Sequence, residues 1–257
     1  MKAKTVIVTG AGQGIGAGIA KIYGKNGFHV GVLDIHYETA KETVKEIVDQ
    51  GGTAMAVECD VALRSDVEQA IDMVTKAYGL PTTLINNAGV GGYFHRIDEV
   101  TDEEWDWIIN TNLKSVFLFC RNLLPKMKEI GYGRIVNISS IQGLFGSPRS
   151  STYVATKHAI IGYTKTIAAE WGGFNITCNA VCPGYVQTAM GIHDESFKGF
   201  SQSVMDITPS KKIATVEEMG ELVYYLTSEK AQYMNGSAIT FDGGITCYTG
   251  VTDFNNF

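Results

Sequence analysis

The sequence predicts an α/β fold, a doubly wound parallel sheet with helices on both faces. Three observations predict it. Short runs rich in Val and Ile recur along the chain, nearly continuous in apolar character, as in strands buried on both faces. Longer segments with helical periodicity separate them. The first run passes straight into a glycine-rich turn, "TVIVTGAGQGIGAGIA".

The elements follow in order. Thr5–Thr9 is the first strand, and a helix begins near Gly14 after the glycines. His29–Asp34 is the second strand, with a helix from near Thr39. Ala54–Cys59 and Thr83–Asn86 are strands flanking a helix that begins near Ser65. A further helix starts near Asp102, where Thr101 and Glu104 have capping-box spacing. Strand Arg134–Ser139 precedes a helix from near Thr152. Strand Thr177–Cys182 leads to a long irregular stretch, from Thr188 to about Ala214. Loops of that length are commonly functional. Met190, Phe197, Phe200 and Met205 suit it to be a lid over a ligand, spanning 188–214. Thr215 and Glu218 form a second capping-box pattern before a helix near Val216, and Ala238–Phe241 is the last strand. No linker, repeat or shift in composition divides the chain, so residues 1–257 read as one domain.

Composition removes several function classes. Hydrophobic residues make up 45% and charged residues 19%, enough for a buried core. The net charge of −6 argues against a nucleic-acid surface, which needs clustered Lys and Arg. No segment approaches the roughly 20 apolar residues of a membrane span. "MKAKTVIVTG" has too short an apolar run for a signal peptide. The five cysteines are scattered without Cys-x-x-Cys, as expected of buried thiols in a reducing cytoplasm. No histidine has ligand spacing, so no metal is expected.

The glycine turn carries chemistry. Gly10, Gly12, Gly14 and Gly16 fall where a strand becomes a helix. Glycine allows the tight turn and lets backbone approach a pyrophosphate, while the helix N-terminus offers N–H groups to the anion. The second strand ends in Asp34, 18 residues past Gly16. An acid there accepts hydrogen bonds from the adenosine ribose and repels a 2′-phosphate. No Lys or Arg lies between Gly10 and Gly16 to offset it. The expected cofactor is therefore NAD(H) rather than NADP(H). The competing reading is that Asp34 merely caps the next helix.

Two Tyr-x-x-x-Lys pairs occur, Tyr37–Lys41 and Tyr153–Lys157, and spacing alone does not separate them. Context does. Thr9, Gly10, Gly14 and Gly16 match Thr-Gly-x-x-x-Gly-x-Gly, and Asn86–Gly89 reads Asn-Asn-Ala-Gly. Ser140 stands 13 residues before Tyr153, Asn112 lies in "NTNLKSVF", and "PGYVQT" supplies Pro183, Gly184 and Thr188. In this order and spacing the motifs resemble the short-chain dehydrogenase/reductase family, in its single-domain branch, over essentially the whole chain. The resemblance implies a Rossmann-like fold and a homotetramer paired through the helices carrying Asn112 and Tyr153. It implies a catalytic set of Asn112, Ser140, Tyr153 and Lys157. It also implies cofactor contacts at Gly10, Gly12, Gln13, Gly14, Ile15, Gly16, Asp34, Asp60, Val61, Asn87, Ala88, Gly89, Tyr153, Lys157, Pro183, Gly184, Val186 and Thr188. Tyr37–Lys41, on the adenosine side, then reads as a solvated helix face.

The implied reaction is hydride transfer between nicotinamide and a secondary alcohol or ketone. A free tyrosine is a poor base near neutrality, and an ammonium one helical turn away is expected to lower its pKa. Ser140 would hold the substrate oxygen beside Tyr153, with Ser139 structural. Gln142 and Tyr185 are expected substrate contacts, with Ile141, Leu144, Phe94 and Met190 as further pocket candidates. Most of these are apolar and no clear carboxylate-binding arginine appears, Arg149 and His193 on loops being the exceptions, so a small or medium neutral compound is expected. The alternatives are a 3-oxoacyl-carrier-protein reductase, which shares the motifs, and a non-catalytic cofactor-sensing regulator, which would be expected to have lost one of the four catalytic residues. A sugar-nucleotide epimerase would need a larger C-terminal part and different glycine spacing. Gly18, inside the first helix, departs from good helix composition.

Overall fold

The computed structural model describes residues 4–187 and 195–247. Seven strands form one parallel sheet: β1 (Thr5–Thr9), β2 (His29–Asp34), β3 (Thr53–Glu58), β4 (Thr83–Asn86), β5 (Gly133–Ile138), β6 (Ile176–Pro183) and, last in the chain, β9 (Ala238–Phe241). Their order is β3-β2-β1-β4-β5-β6-β9. Two short strands, β7 (Val186–Gln187) and β8 (Ala214–Thr215), pair separately. The helices are α1 (Gly14–Lys25), α2 (Tyr37–Asp49), α3 (Arg64–Tyr78), α4 (Asp102–Ile109), α5 (Ser115–Ile130), α6 (Ser151–Trp171), α7 (Glu195–Ile207) and α8 (Val216–Leu226).

The alternation of side chains along β1 divides the core in two. Ile7 faces a cluster with Leu84, Phe119, Leu123 and Ile160, so α5 and α6 cover that face. Val6 and Val8 face the other cluster, with Ile19, Tyr23, Met219 and Val223 from α1 and α8. A parallel strand buried on both sides needs this continuous apolar character. The sheet reverses its winding between β1 and β4, which opens a crevice beyond the C-terminal strand ends.

Three sequence expectations change. α5 is an additional helix; Pro125 lies inside it, yet Val116, Phe119, Leu123 and Met127 bury one face and hold it helical. A turn of π-helix, Asn110–Lys114, joins α4 to α5. The stretch expected to be irregular contains α7, while Thr188, Met190 and His193 lie outside the described residues. The capping box at Thr215 and Glu218 forms in both directions. At Thr101 only half forms: its hydroxyl accepts from the Glu104 N–H, but the Glu104 carboxylate turns away to the loop before α4.

Candidate active site

Four adjacent strands deliver the site. β1 ends in the glycine turn, β4 in Asn87–Gly89, β5 in Ser139 and Ser140, and β6 in Pro183 and Gly184. A cleft of about 350 Å³ runs along these ends, lined by Ile15 and Asn87 at one side and by Gln142, Tyr153 and Lys157 at the other.

The glycine turn is shaped by close backbone approach. Gly10 and Gly14 are left-handed, with φ of 59° and 57°. A Cβ at Gly10 would lie 2.8 Å from Ala88 Cα, and one at Gly16 would collide with the Gly10 carbonyl oxygen. Asn87 fastens the turn to β4 by donating from Nδ2 to the carbonyls of Thr9 and Gly10. Thr9 Oγ1 accepts from the N–H groups of Asn87 and Ala88. Gln13 contributes no side-chain cap to α1, and no acid stands in its first turn. The N-terminus of α1 therefore points uncapped dipoles at the turn, and these residues fit a dinucleotide pyrophosphate. Asp34 is buried at the end of β2. Its Oδ2 accepts from Gly12 N–H at 2.8 Å and its Oδ1 from His36 N–H at 3.0 Å. The carboxylate thus braces the turn and the approach to α2 together. It retains lone pairs for further donors.

Opposite, α6 carries Tyr153 and Lys157 on one face. Lys157 is buried, and its Nζ donates to the Ile138 carbonyl at 2.9 Å. Ser139 Oγ donates to the Lys157 carbonyl, as expected of the structural serine. Ser140 Oγ accepts from Gln142 N–H at 3.1 Å, and the Ser140 side chain lies beside the Tyr153 hydroxyl. Asn112, in the π-helical turn, accepts from Val90 N–H at 2.8 Å and donates to the Val90 carbonyl at 2.9 Å. It also donates to Thr156 on α6. Gly89 makes room: a Cβ there would lie 3.3 Å from Asn112 Oδ1 and 3.5 Å from Lys157 Nζ. Asn112, Ser140, Tyr153 and Lys157 therefore meet at one end of the cleft.

The electrostatics differ from expectation. Burial holds the Tyr153 hydroxyl above its ordinary value, opposed by the neighbouring Ser140 side chain. Burial also pushes the Lys157 amine down to about 8. Desolvation is the largest influence on both groups, and neither shift contains a contribution from the other. Lys157 Nζ stands 5.4 Å from the Tyr153 ring centroid. The second pair is nearly identical in this respect, Lys41 lying 5.2 Å from the Tyr37 ring. Lys41 however pairs with Glu38 at 2.6 Å and sits in solvent.

Other expected residues divide. Asp60 follows β3, and its Oδ1 caps the Ala62 N–H; Val61 is buried beside it. Gln142 and Phe94 line the cleft, whereas Ile141 is buried and Leu144 and Arg149 are exposed. Tyr185 does not join them: it lines a separate cavity of about 170 Å³ with Thr208, Lys212 and Asp242. The short β7–β8 pairing after Gly184 carries it there, with Val186 paired to Ala214. Thr188 lies outside the described residues. Sequence reasoning missed the Ile138 carbonyl that anchors Lys157 and the Val90 backbone held by Asn112. Backbone groups leave no residue-type signal.

Comparison with known proteins places this arrangement. The family model described as Enoyl-(Acyl carrier protein) reductase matches residues 10–246. The chain is 35% identical to D-beta-hydroxybutyrate dehydrogenase of Rhizobium meliloti (strain 1021) over 260 residues, covering 95% of this chain and 98% of that protein. Among solved structures, a point variant of actinorhodin polyketide ketoreductase with NADPH superposes with a TM-score of 0.90 at 34% identity, covering 96% and 100% of the two chains. A 3-oxoacyl-[acyl-carrier protein] reductase with bound NAD from Brucella melitensis does so at 0.86 and 33%, covering 95% and 91%.

Proposed function

The chain belongs to the short-chain dehydrogenase/reductase family, an oxidoreductase fold acting on hydroxyl and keto groups, and from that premise we propose an NAD(H)-dependent enzyme interconverting a neutral secondary alcohol and its ketone. One observation carries the reading. Tyr153, with Ser140 beside its hydroxyl, stands in the same cleft as the uncapped glycine turn.

The nicotinamide, when bound, exchanges the hydride with the substrate carbon. Ser140 donates a hydrogen bond to the substrate oxygen and fixes it beside Tyr153. In reduction Tyr153 gives its proton to that oxygen as the C–H bond forms; in oxidation it takes the proton back. Lys157 lies within reach of the tyrosine ring, and its charge stabilises the phenolate while the proton is away. Asn112 holds Val90 and α6 in register, which keeps the cleft wall fixed. Gly10, Gly12, Gln13, Gly14, Ile15 and Gly16 would hold the pyrophosphate. Asp34 would accept from the adenosine ribose and oppose a 2′-phosphate by charge repulsion.

Tyr153→Phe is expected to lower turnover at least about 10²-fold while NADH binding, followed by fluorescence titration, survives. Turnover within a few-fold of wild type would remove Tyr153 as the acid/base. Asp34→Ala is expected to narrow the preference for NADH over NADPH. A wild-type enzyme that already prefers NADPH would overturn the ribose assignment. The 3-oxoacyl-carrier-protein reductase reading is favoured by the similarity to carrier-protein reductases. A panel of ketones and 3-oxoacyl thioesters, run with each cofactor, decides between the two.

A further inference from the structure

Phe94 is held in a conformation its residue type resists. Its φ is 60°, the left-handed region, with no glycine or asparagine chemistry to excuse it. Such a residue persists where its surroundings over-determine it. Here they do. Asn112 grips Val90 at both its N–H and its carbonyl. Gly92 then turns with φ of 81°, so close to α4 that a Cβ would lie 2.8 Å from Ile108 Cδ1 and 3.2 Å from Glu104 Oε1. The Glu104 carboxylate, only 7% exposed, takes the residues on either side of Phe94. Oε1 accepts from Tyr93 N–H at 3.0 Å, and Oε2 lies 2.7 Å from His95 Nδ1. The Tyr93 ring packs on Trp107 of α4, 5.5 Å between centroids. This use of Glu104 is why the capping box at Thr101 forms only by half.

The consequence is a phenylalanine side chain left largely open. It is 63% exposed and lines the cleft with Gln142, Ser150 and Tyr153. The one cation lining that cleft among the described residues, Lys157, is buried and engaged with the Ile138 carbonyl. The wall beside Tyr153 thus offers a flat apolar face and no counter-charge for an anionic substrate.

Resting on the proposed alcohol–ketone reaction, we infer that Phe94 is its specificity-determining wall, positioned by Glu104 through Tyr93 and His95, and that the substrate presents a neutral apolar ring to it. The class is cyclic or aryl ketones and their secondary alcohols. Ring-on-ring contact and burial of the Phe94 face supply the discrimination.

The test compares cyclohexanone and acetophenone with butan-2-one in the purified full chain. Phe94→Gly removes the ring and relieves the left-handed strain, so it folds. It is expected to raise KM for the ring ketones about ten- to a hundredfold more than KM for butan-2-one. Glu104→Ala is expected to raise the ring-ketone KM in the wild-type background but not in the Phe94→Gly background, because it acts through that ring. Glu104→Gln keeps an acceptor for the Tyr93 amide and is expected to restore most of the loss. Equal effects of Glu104→Ala in both backgrounds, or a Phe94→Gly enzyme with unchanged ring-ketone KM, would overturn this inference and leave the reaction standing. A wild-type enzyme inactive on every ketone with both cofactors would overturn the reaction and this inference with it.

Discussion

The two Tyr-x-x-x-Lys pairs put an ammonium at almost the same distance from a tyrosine ring, 5.4 Å and 5.2 Å. What separates them is environment. Lys157 has lost its water and gained one carbonyl; Lys41 keeps its water and gains Glu38. Burial gives Lys157 a folded-state pKa of about 8 against 10.5 in the unfolded chain. Between those values the unfolded chain binds more protons, so this residue's contribution to stability rises with pH. Below about pH 8 the charged amine costs the fold on the order of 3 kcal/mol, at about 1.4 kcal/mol per pKa unit. Lys157→Met removes that cost. Its stability relative to wild type is expected to be greatest at neutral pH and to shrink by about pH 10, in urea unfolding followed by fluorescence. A difference constant with pH would show that the amine is not desolvated. Tyr153 titrates above its ordinary value, so alcohol oxidation by the free-standing site should gain rate with rising pH and ketone reduction should lose it.

At the scale of elements, Gly18 is a helix-weakening residue whose reason lies on another helix. A Cβ at Gly18 would come within 2.7 Å of Val216 Cβ and 2.9 Å of the Val216 carbonyl oxygen. Gly220 on α8 answers it, where a Cβ would lie 2.7 Å from Ile22 Cγ1 and 3.2 Å from the Gly18 carbonyl. The two glycines let α1 and α8 cross closely enough to seal one face of the sheet. Gly18→Ala gains up to about 1 kcal/mol of helix propensity. It meets overpacking of typically about 1–3 kcal/mol against backbone that has nowhere to move. A net loss of about 1 kcal/mol is expected in denaturant unfolding, and a stabilised variant would mean that the helices part freely. Glu104 teaches the same lesson. Its spacing from Thr101 specifies a capping box, but the Tyr93 N–H and the His95 ring compete for the carboxylate and win it.

For the whole molecule, the family resemblance leads us to expect a homotetramer, paired through α4, α5 and α6. Phe117 is exposed on α5 with Arg121 over its ring, and Trp105 is exposed on α4. Sedimentation is expected to give four times the 27.9 kDa chain mass. Phe117→Glu is expected to yield smaller species; an unaltered tetramer would place the interface elsewhere. The sheet and most of its helices were legible from sequence, because apolar runs and glycine turns are local signals. α5 and α7 were not: Pro125 interrupts one pattern, and α7 lies in a stretch whose spacing reads as loop. The glycine turn, Asp34 and the residues Asn112, Ser140, Tyr153 and Lys157 were legible as residue types in order. By itself the sequence determined the family and the parallel sheet, and it named the side chains we propose for the chemistry, since each rests on identity and spacing along the chain. Only the tertiary structure decided that Lys157 is anchored by a carbonyl, that Tyr153 is desolvated, that Tyr185 turns to another cavity and that Phe94 is forced into the cleft. Those outcomes depend on burial and on backbone groups from distant strands, which no local pattern encodes.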